Sequence, residues 1–291
     1  LRRRTRLANM HGTRIDQTIV LHAAGMKAVA QVDDQLQQRS YPKDFEGNLL
    51  QGGEEIFDRI ALGDHAERVR EEAIALCYAP PCPEARKTLL LDGAQMSLQI
   101  HESCGHPTEG DRVLREELSL AGSSFLTPDK MAAGFKYGSE EVNLVASTKT
   151  PGGPGTFAWD DEGTPAGEVD LVRKGRFKGY LTSRATSDRL GCAPIAACRA
   201  QSWDLEPIVR MVNINLEPGS GGSLEDMIAA TDDGILMSAN RSWSIDDSRN
   251  KFQFGCEWAQ LIEEGELTTV VKNPNYRGIS ATFWRNLVGV G

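Results

Sequence analysis

Two histidines and a glutamate lie within six residues of each other, in residues 101–106 (HESCGH). Two imidazoles can hold a zinc ion when their rings meet, and an adjacent carboxylate can then take a proton from zinc-bound water. Many zinc proteases place the two histidines four residues apart, which brings both to one face of a helix. Here the interval is five residues, so on an ideal helix the side chains of His101 and His106 diverge by roughly 140°.

A helix that bulges by one residue within this interval can bring both rings together. Single-turn π-bulges of this kind are frequent at functional sites. Gly105 precedes the second histidine, and glycine tolerates a distorted backbone. One hypothesis is therefore a π-bulge with a zinc site, in which His101 and His106 are ligands and Glu102 is the general base. The alternative is a chance cluster of histidines that binds no metal, and the motif alone does not decide between them.

The elements that must position this motif are predicted from hydrophobic periodicity. Residues 87–100 (KTLLLDGAQMSLQI) are predicted to form a short strand, a turn at Asp92 and Gly93, and the helix that carries the motif. The clearest helix of the chain precedes them, with a predicted capping box at Asp64 and Glu67. Its apolar residues recur at helical spacing: Ala66, Val69, Ala73 and Leu76.

A breaker-rich segment, residues 78–84 (YAPPCPE), ends that helix and is the strongest boundary in the chain. We therefore predict two domains, residues 1–84 and residues 85–291. The first is predicted to be a partial α/β two-layer region, because strand-like runs precede its helix. The second is predicted to be larger, mainly antiparallel β, and to carry the motif helix. Strands outnumber helices without alternating regularly with them, which indicates the α+β class.

Turn chemistry supports the β-rich prediction for the second half of the chain. Alternating residues flank Lys174 and Gly175, and a second alternating pair of runs flanks Glu264 and Gly265, so both sites are predicted hairpin turns. Ser223 follows a glycine-rich loop and is the predicted N-cap of a short helix.

Composition limits the class of protein. The 291 residues carry 32 Lys and Arg against 41 Asp and Glu, a net charge of −9, which argues against a general nucleic-acid binder. No run of 18 consecutive apolar residues is present, so no transmembrane helix is predicted. Six cysteines in a chain of this length, without a CxxC zinc-ribbon spacing, indicate a reduced, cytoplasmic protein.

Residues 98–113 (LQIHESCGHPTEGDRV) resemble the core signature of the TldD/PmbA family, the modulators of DNA gyrase, which includes zinc-dependent peptidases. The family pattern is HExxxH followed by a Glu-Gly-Asp element, which Glu109, Gly110 and Asp111 supply here. Three further blocks resemble the family in the same order: residues 157–191, 213–237 and 252–278.

The resemblance implies that His101 and His106 bind Zn²⁺ and that Glu102 is the catalytic base of a metallopeptidase. The implied substrates are peptides or unfolded protein segments. Because the family pairs active and inactive paralogues, the retained motif implies the active TldD-type subunit, in a homodimer or in a heterodimer with a paralogue. The alternative is a non-catalytic partner or peptide-binding subunit of such a dimer. The family's third ligand is a cysteine in a glycine-rich segment near the C-terminus, which this sequence does not contain, so we expect the chain to be incomplete.

Several residues near or outside the motif have two interpretations. Glu109 and Asp111 either orient the zinc histidines as hydrogen-bond acceptors or cap the next turn. Cys104 is either a nucleophile or a small residue that fills a helix turn, and the second interpretation is favoured. Cys256 is a substitute zinc ligand or, as its alternation with apolar residues favours, part of a buried strand face. The acidic run at residues 160–162 is either a cation site or, as favoured, a solvated turn.

Overall fold

Strands form most of the chain, as seen in a computed structural model that describes residues 1–42, 47–118 and 122–291. The strands are β1 (Arg2–Ala8), β2 (Arg14–Ala24), β3 (Met26–Val32), β4 (Gln35–Tyr41), β5 (Asn48–Gln51), β6 (Thr88–Leu91), β7 (Leu144–Ser147), β8 (Glu168–Arg173), β9 (Arg176–Phe177), β10 (Cys198–Arg199), β11 (Ile208–Val209), β12 (Asn213–Leu216), β13 (Asp233–Ile245), β14 (Lys251–Glu263), β15 (Glu266–Val271) and β16 (Asn275–Ile279). The α-helices are α1 (Glu55–Ile60), α2 (Leu62–Tyr78), α3 (Gly93–Ile100), α4 (Gly110–Val113), α5 (Pro128–Ala132), α6 (Arg184–Leu190), α7 (Leu224–Ala229) and α8 (Ser280–Arg285). The predicted α+β class is confirmed.

Helix α2 packs on the β3–β4 hairpin, and α1 contacts β2 of a three-stranded sheet in the order β1-β2-β5. The buried face of α2 includes Val69, Ala73 and Leu76, as the helical spacing predicts. The predicted capping box at Asp64 is wrong, because the helix begins at Leu62 and has no side-chain cap. Ala61 lies between α1 and α2 in the left-handed conformation, so the chain is already helical before it reaches Asp64.

The largest sheet has the order β15-β14-β13-β6, and β16 pairs with the free edge of β14. Every pair in it is antiparallel except β6 with β13. The turn predicted at Glu264 and Gly265 connects β14 to β15 and is confirmed. Strand β6 leads straight into α3, where the carboxylate of Asp92 accepts a hydrogen bond from the amide of Gln95 at 2.8 Å and so caps the helix. The largest sheet thus fixes where the motif helix starts.

A four-stranded sheet in the order β12-β7-β8-β9 contributes to the core beneath the motif helix. The turn predicted at Lys174 and Gly175 joins β8 to β9, and Ser223 caps α7 as predicted. The core that this sheet shares with the motif helix contains Ile100, Cys104, Tyr137, Leu144, Leu171, Phe177, Trp284 and other buried side chains.

Strand β14 has an apolar face and a polar face, and both are buried over part of its length. Cys256 packs within an apolar cluster that includes Met237 and Phe254, which confirms the prediction of a buried strand face. Its neighbour Glu257, 1% exposed, points the other way and accepts hydrogen bonds from the Ser40 amide at 2.7 Å and from the Gln38 side chain at 2.7 Å. A buried polar contact therefore joins the β3–β4 hairpin to the largest sheet.

The acidic run at residues 160–162 is not a fully solvated turn, so the favoured interpretation is wrong for Asp160. This residue is only 3% exposed. Its carboxylate accepts hydrogen bonds from the backbone amides of Glu162, Thr164 and Cys198 at 3.0, 2.8 and 3.2 Å. The buried carboxylate of Asp160 thus accepts hydrogen bonds from backbone amides of its own turn and from the first residue of β10.

In the described part of the chain, no helix is long and apolar enough to cross a membrane. All six cysteines lie in that part, and none of them forms a disulfide.

Candidate metal centre

The motif lies on one irregular helical segment. Helix α3 continues into a single π-helical turn, His101–Gly105, and then into a short 3-10 turn, His106–Thr108. The amide of His106 donates to the carbonyl of His101, which is the hydrogen bond over five residues that defines a π-turn. This turn absorbs the extra residue of the motif, and the two imidazole rings meet with centroids 4.7 Å apart at an interplanar angle of 90°. The predicted bulge is confirmed.

The two predicted metal ligands and the predicted general base lie together. One donor atom from each of His101, Glu102 and His106 lies within 4.8 Å of the others. The two imidazoles suit Zn²⁺, which takes nitrogen ligands, and the carboxylate lies close enough to reach water bound at such an ion. Within residues 1–42, 47–118 and 122–291, no cysteine belongs to the group, so Cys256 is not its missing ligand.

Gly105 is needed for close packing and not for an unusual backbone angle. Its φ is −56°, an ordinary helical value, so the tolerance of glycine for a distorted backbone is not required at this angle. A Cβ atom at this position would lie 2.0 Å from the sulfur of Met211 and 3.3 Å from Cδ1 of Ile214. The π-turn therefore packs directly against Met211 and β12, and there is no room for a side chain at residue 105.

Hydrogen bonds from Tyr137 and Trp284, both distant in the sequence, hold the π-turn at Ser103. The Tyr137 hydroxyl donates to the Ser103 carbonyl at 2.8 Å, and the Trp284 indole donates to its hydroxyl at 2.9 Å. The Gln99 amide group also donates to that hydroxyl, at 3.1 Å. All four residues are buried, so each of these bonds is shielded from competing water.

Glu109 is fully buried and contacts the second histidine. Its Oε2 lies 3.1 Å from Nδ1 of His106 and accepts a hydrogen bond from Nε of Arg112 at 2.8 Å, while Oε1 accepts one from the Met211 amide at 3.2 Å. Burial alone would raise the pKa of Glu109, but the His106 hydrogen bond and the charges of His106 and Arg112 outweigh it and lower that pKa. A carboxylate on Nδ1 favours the tautomer whose Nε2 is free to bind a metal.

Asp111, the other acidic residue of the Glu-Gly-Asp element, does not contact either histidine. Its carboxylate accepts a hydrogen bond from the amide of Val209 at 2.7 Å, which ties α4 to β11. Burial raises its pKa. Of the two residues with open interpretations, Glu109 therefore lies where an orienting acceptor must lie, and Asp111 fastens the neighbouring strand.

Glu102 has a partner that sequence reasoning missed. Its Oε2 forms an ion pair with the guanidinium of Arg249, and both side chains are less than 10% exposed. Burial lowers the pKa of Arg249, and the charge of Glu102 opposes that effect. Arg249 lies in the turn after β13, 147 residues from Glu102, and no local pattern marks it. This ion pair fixes the Oε2 atom of the Glu102 carboxylate.

Cys104 is part of the core. It is completely buried, and burial raises the pKa of its thiol to about 12. A nucleophilic cysteine needs a lowered pKa and access to its substrate, so the favoured interpretation as a small packing residue agrees with the structure.

His101 and His106 line a cleft of about 960 Å³. One wall comes from the region of α4 and β11 and contributes Arg112, Arg115 and Arg210. The opposite wall comes from the end of β13 and the turn after it. Its lining residues are Trp243, Ser244, Ile245, Asp246, Asp247 and Arg249. The candidate metal ligands His101 and His106 and the carboxylate of Glu102 thus line this cleft.

The sequence of this chain is similar to a known protein family and to known relatives. Residues 85–291 match the family model described as the PmbA/TldA metallopeptidase C-terminal domain. A metalloprotease from Methanocaldococcus jannaschii is 33% identical over 267 residues, which cover 92% of this chain and 55% of the relative. One from Methanothermobacter thermautotrophicus is 32% identical over 240 residues, covering 82% of this chain and 50% of the relative. The chain thus spans about half the length of these relatives.

A solved structure shows the same fold. TldE from Thermococcus kodakarensis superposes with a TM-score of 0.75 at 18% identity, covering 98% of this chain and 60% of that protein.

Proposed function

The chain belongs to the PmbA/TldD metallopeptidase family, and we propose that it is the active, zinc-dependent type of subunit, which hydrolyses peptides or unfolded protein segments. The observation that carries this proposal is the π-turn that brings the rings of His101 and His106 together beside Glu102. A subunit that only supported a partner would not need a buried acceptor on one of these histidines, which Glu109 provides.

In this mechanism, each residue of the centre has one task. His101 and His106 would hold Zn²⁺, which when bound lowers the pKa of its water toward 7 and polarises the carbonyl of the scissile bond. Glu102 accepts a proton from the attacking water and delivers it to the nitrogen of the leaving amine as the C–N bond breaks. Arg249 holds the carboxylate of Glu102 in place, and Glu109 keeps the proton of His106 on Nδ1.

The third zinc ligand is not assigned to any residue of this chain. We infer that substrates bind in extended form, because strands border the cleft and can pair with a peptide backbone.

We also propose assembly as a homodimer or as a heterodimer with a paralogue. The six unpaired cysteines support a proposed cytoplasmic location, and we propose no membrane or nucleic-acid partner. The proposed division into residues 1–84 and 85–291 is supported by the three prolines between α2 and β6.

Replacing the general base tests the proposal. We expect Glu102→Gln to lower peptide hydrolysis by about 10²- to 10⁴-fold, because proton transfer contributes that much. Zinc content should be unchanged, as measured by elemental analysis. Glu263→Gln, at an exposed end of β14, is the matched control and should keep full activity.

Two results would contradict the proposal in different ways. Full hydrolysis by zinc-loaded Glu102→Gln protein would refute the assigned base. A wild-type protein that binds peptides but neither binds zinc nor hydrolyses them would instead support the alternative, a non-catalytic peptide-binding subunit.

A further inference from the structure

Four arginines line the cleft, and two of them already have buried carboxylate partners. Arg112 pairs with Glu109, and Arg249 pairs with Glu102. For the other two, Arg115 and Arg210, no carboxylate lies within 4.0 Å of the guanidinium in residues 1–42, 47–118 and 122–291. Among the described residues, the Arg210 guanidinium donates to the carbonyl of the preceding residue, at 2.9 Å. Two arginine side chains thus line the cleft without a salt-bridge partner among these residues, and the charge of Arg210 only opposes the rise that burial causes in the pKa of Asp111.

Arg210 is held beside the metal centre by its own backbone. The amide of Val209, before it, donates to Asp111 at 2.7 Å, and the amide of Met211, after it, donates to Glu109 at 3.2 Å. Glu109 is also the residue that contacts the second histidine of the motif. The Cα of Arg210 is therefore anchored on both sides to the segment that carries the metal ligands. A cation so anchored can bind substrate without the entropic cost of ordering a loop.

The opposite wall carries two carboxylates, and within the described residues neither forms an ion pair with these two arginines. The carboxylate of Asp247 is exposed to solvent. The carboxylate of Asp246 is used inside its own turn, where it accepts hydrogen bonds from the amides of Asn250 and Lys251 at 2.7 and 2.9 Å and from the Ser248 hydroxyl at 2.8 Å. Trp243, which is 51% exposed, presents an aromatic surface instead. The cleft therefore places two arginine side chains on one wall, and an aromatic side chain with the exposed carboxylate of Asp247 on the other.

We propose that Arg210 and Arg115 bind a carboxylate of the peptide substrate, so that the protein selects peptides with a negative charge close to the scissile bond. A guanidinium matches a carboxylate with two parallel hydrogen bonds, and such charge-assisted bonds are strong where the site is partly enclosed. The carboxylate comes from an Asp or Glu side chain or from the C-terminus of the peptide. This inference rests on the proposed peptidase function and names its substrate class.

A set of matched peptides tests the inference. One series carries Glu or Gln at each position from two residues before to three residues after the scissile bond, and a second series ends in a free acid or an amide. Binding is measured by fluorescence anisotropy and hydrolysis as kcat/KM. We expect one acidic peptide to bind about tenfold more tightly than its neutral partner and to be hydrolysed at least tenfold better. The series in which this preference appears identifies the source of the carboxylate.

Variants connect the preference to the two arginines. Arg115→Gln should reduce the preference for the acidic peptide, and the double variant Arg115→Gln, Arg210→Gln should abolish it. Both variants should bind the neutral peptides as wild type does. Arg277→Gln, an exposed charge on β16 outside the cleft, is the control and should keep the preference. Arg115 is exposed, so its single variant keeps the inference testable if the double variant folds poorly.

The outcomes separate this inference from the proposed function. Equal binding and hydrolysis of acidic and neutral peptides by the wild type overturns the arginine site while leaving the peptidase intact. A preference that persists in both arginine variants overturns it as well. Acidic peptides that bind through the arginines but are never hydrolysed by zinc-loaded protein support the carboxylate site and overturn the peptidase.

Discussion

Replacing Tyr137 with phenylalanine should weaken zinc binding although this residue does not touch either histidine. Its hydroxyl donates at 2.8 Å to the carbonyl of Ser103, inside the π-turn that brings the two rings together. Tyr180→Phe is a matched control, because Tyr180 is also buried and its hydroxyl donates to a backbone carbonyl, that of Leu126, at 3.0 Å. Both variants remove one buried hydroxyl, and only one of those hydroxyls supports the metal centre.

The magnitude follows from the two hydrogen bonds. A buried acceptor that loses its partner costs about 1–3 kcal/mol of stability, so both variants should lower the free energy of unfolding by similar amounts. In Tyr137→Phe we expect about 1.4 kcal/mol of this lost stability to be lost from the π-turn itself. A penalty of that size against the metal-binding conformation weakens zinc affinity about tenfold.

The assay combines two measurements on the same preparations. Zinc affinity is measured by competition with a chromophoric chelator, and the free energy of unfolding by urea denaturation followed by circular dichroism. The expected pattern is equal destabilisation with a zinc defect in Tyr137→Phe alone. Zinc affinity equal to wild type in both variants would show that the Tyr137 hydrogen bond does not hold the π-turn. An equal zinc defect in both variants would show that general loosening of the core is enough.

Two further predictions concern the buried carboxylates. Glu109→Gln should weaken zinc binding by about 10- to 100-fold, because it removes the charged acceptor of His106, and a zinc titration that matches wild type would contradict this role. Glu257→Gln should lower the free energy of unfolding by about 1–3 kcal/mol, because a buried acceptor of several hydrogen bonds loses its charge. In urea denaturation, its control Glu263→Gln should change the free energy by less than about 0.5 kcal/mol, and an equal loss in both would contradict the contribution of the buried contact.

Much of the site could be predicted because its information is local. The spacing of His101 and His106 demands a wide turn if the rings are to meet, and the structure contains that turn. Hairpin turns at Lys174 and Glu264 and the N-cap at Ser223 were likewise determined by a few neighbouring residues. Such features depend on backbone angles and hydrogen bonds within one or two turns of the chain.

Contacts between distant segments could not be predicted in this way. The partner of Glu102, Arg249, is 147 residues away, and its position depends on how β13 and β14 pair. Asp160 carries a local turn signal, but its burial depends on the amide of Cys198 from another strand. The start of α2 was misplaced because a second helix, α1, ends directly before it at Ala61. Each error arose where tertiary structure overrode a local preference.

The five-residue interval between the histidines is matched by a turn that holds one residue more than an α-helical turn. An α-helix advances by about 100° per residue, so ordinary α-helical winding across the same interval would rotate His106 and everything after it by about that angle relative to His101. His106 and Glu109 would rotate together, but the anchors from Asp111 to the Val209 amide and from Glu109 to the Met211 amide would lose their partners. The π-turn therefore serves the pairing of the two rings and the attachment to the region of β11 at the same time.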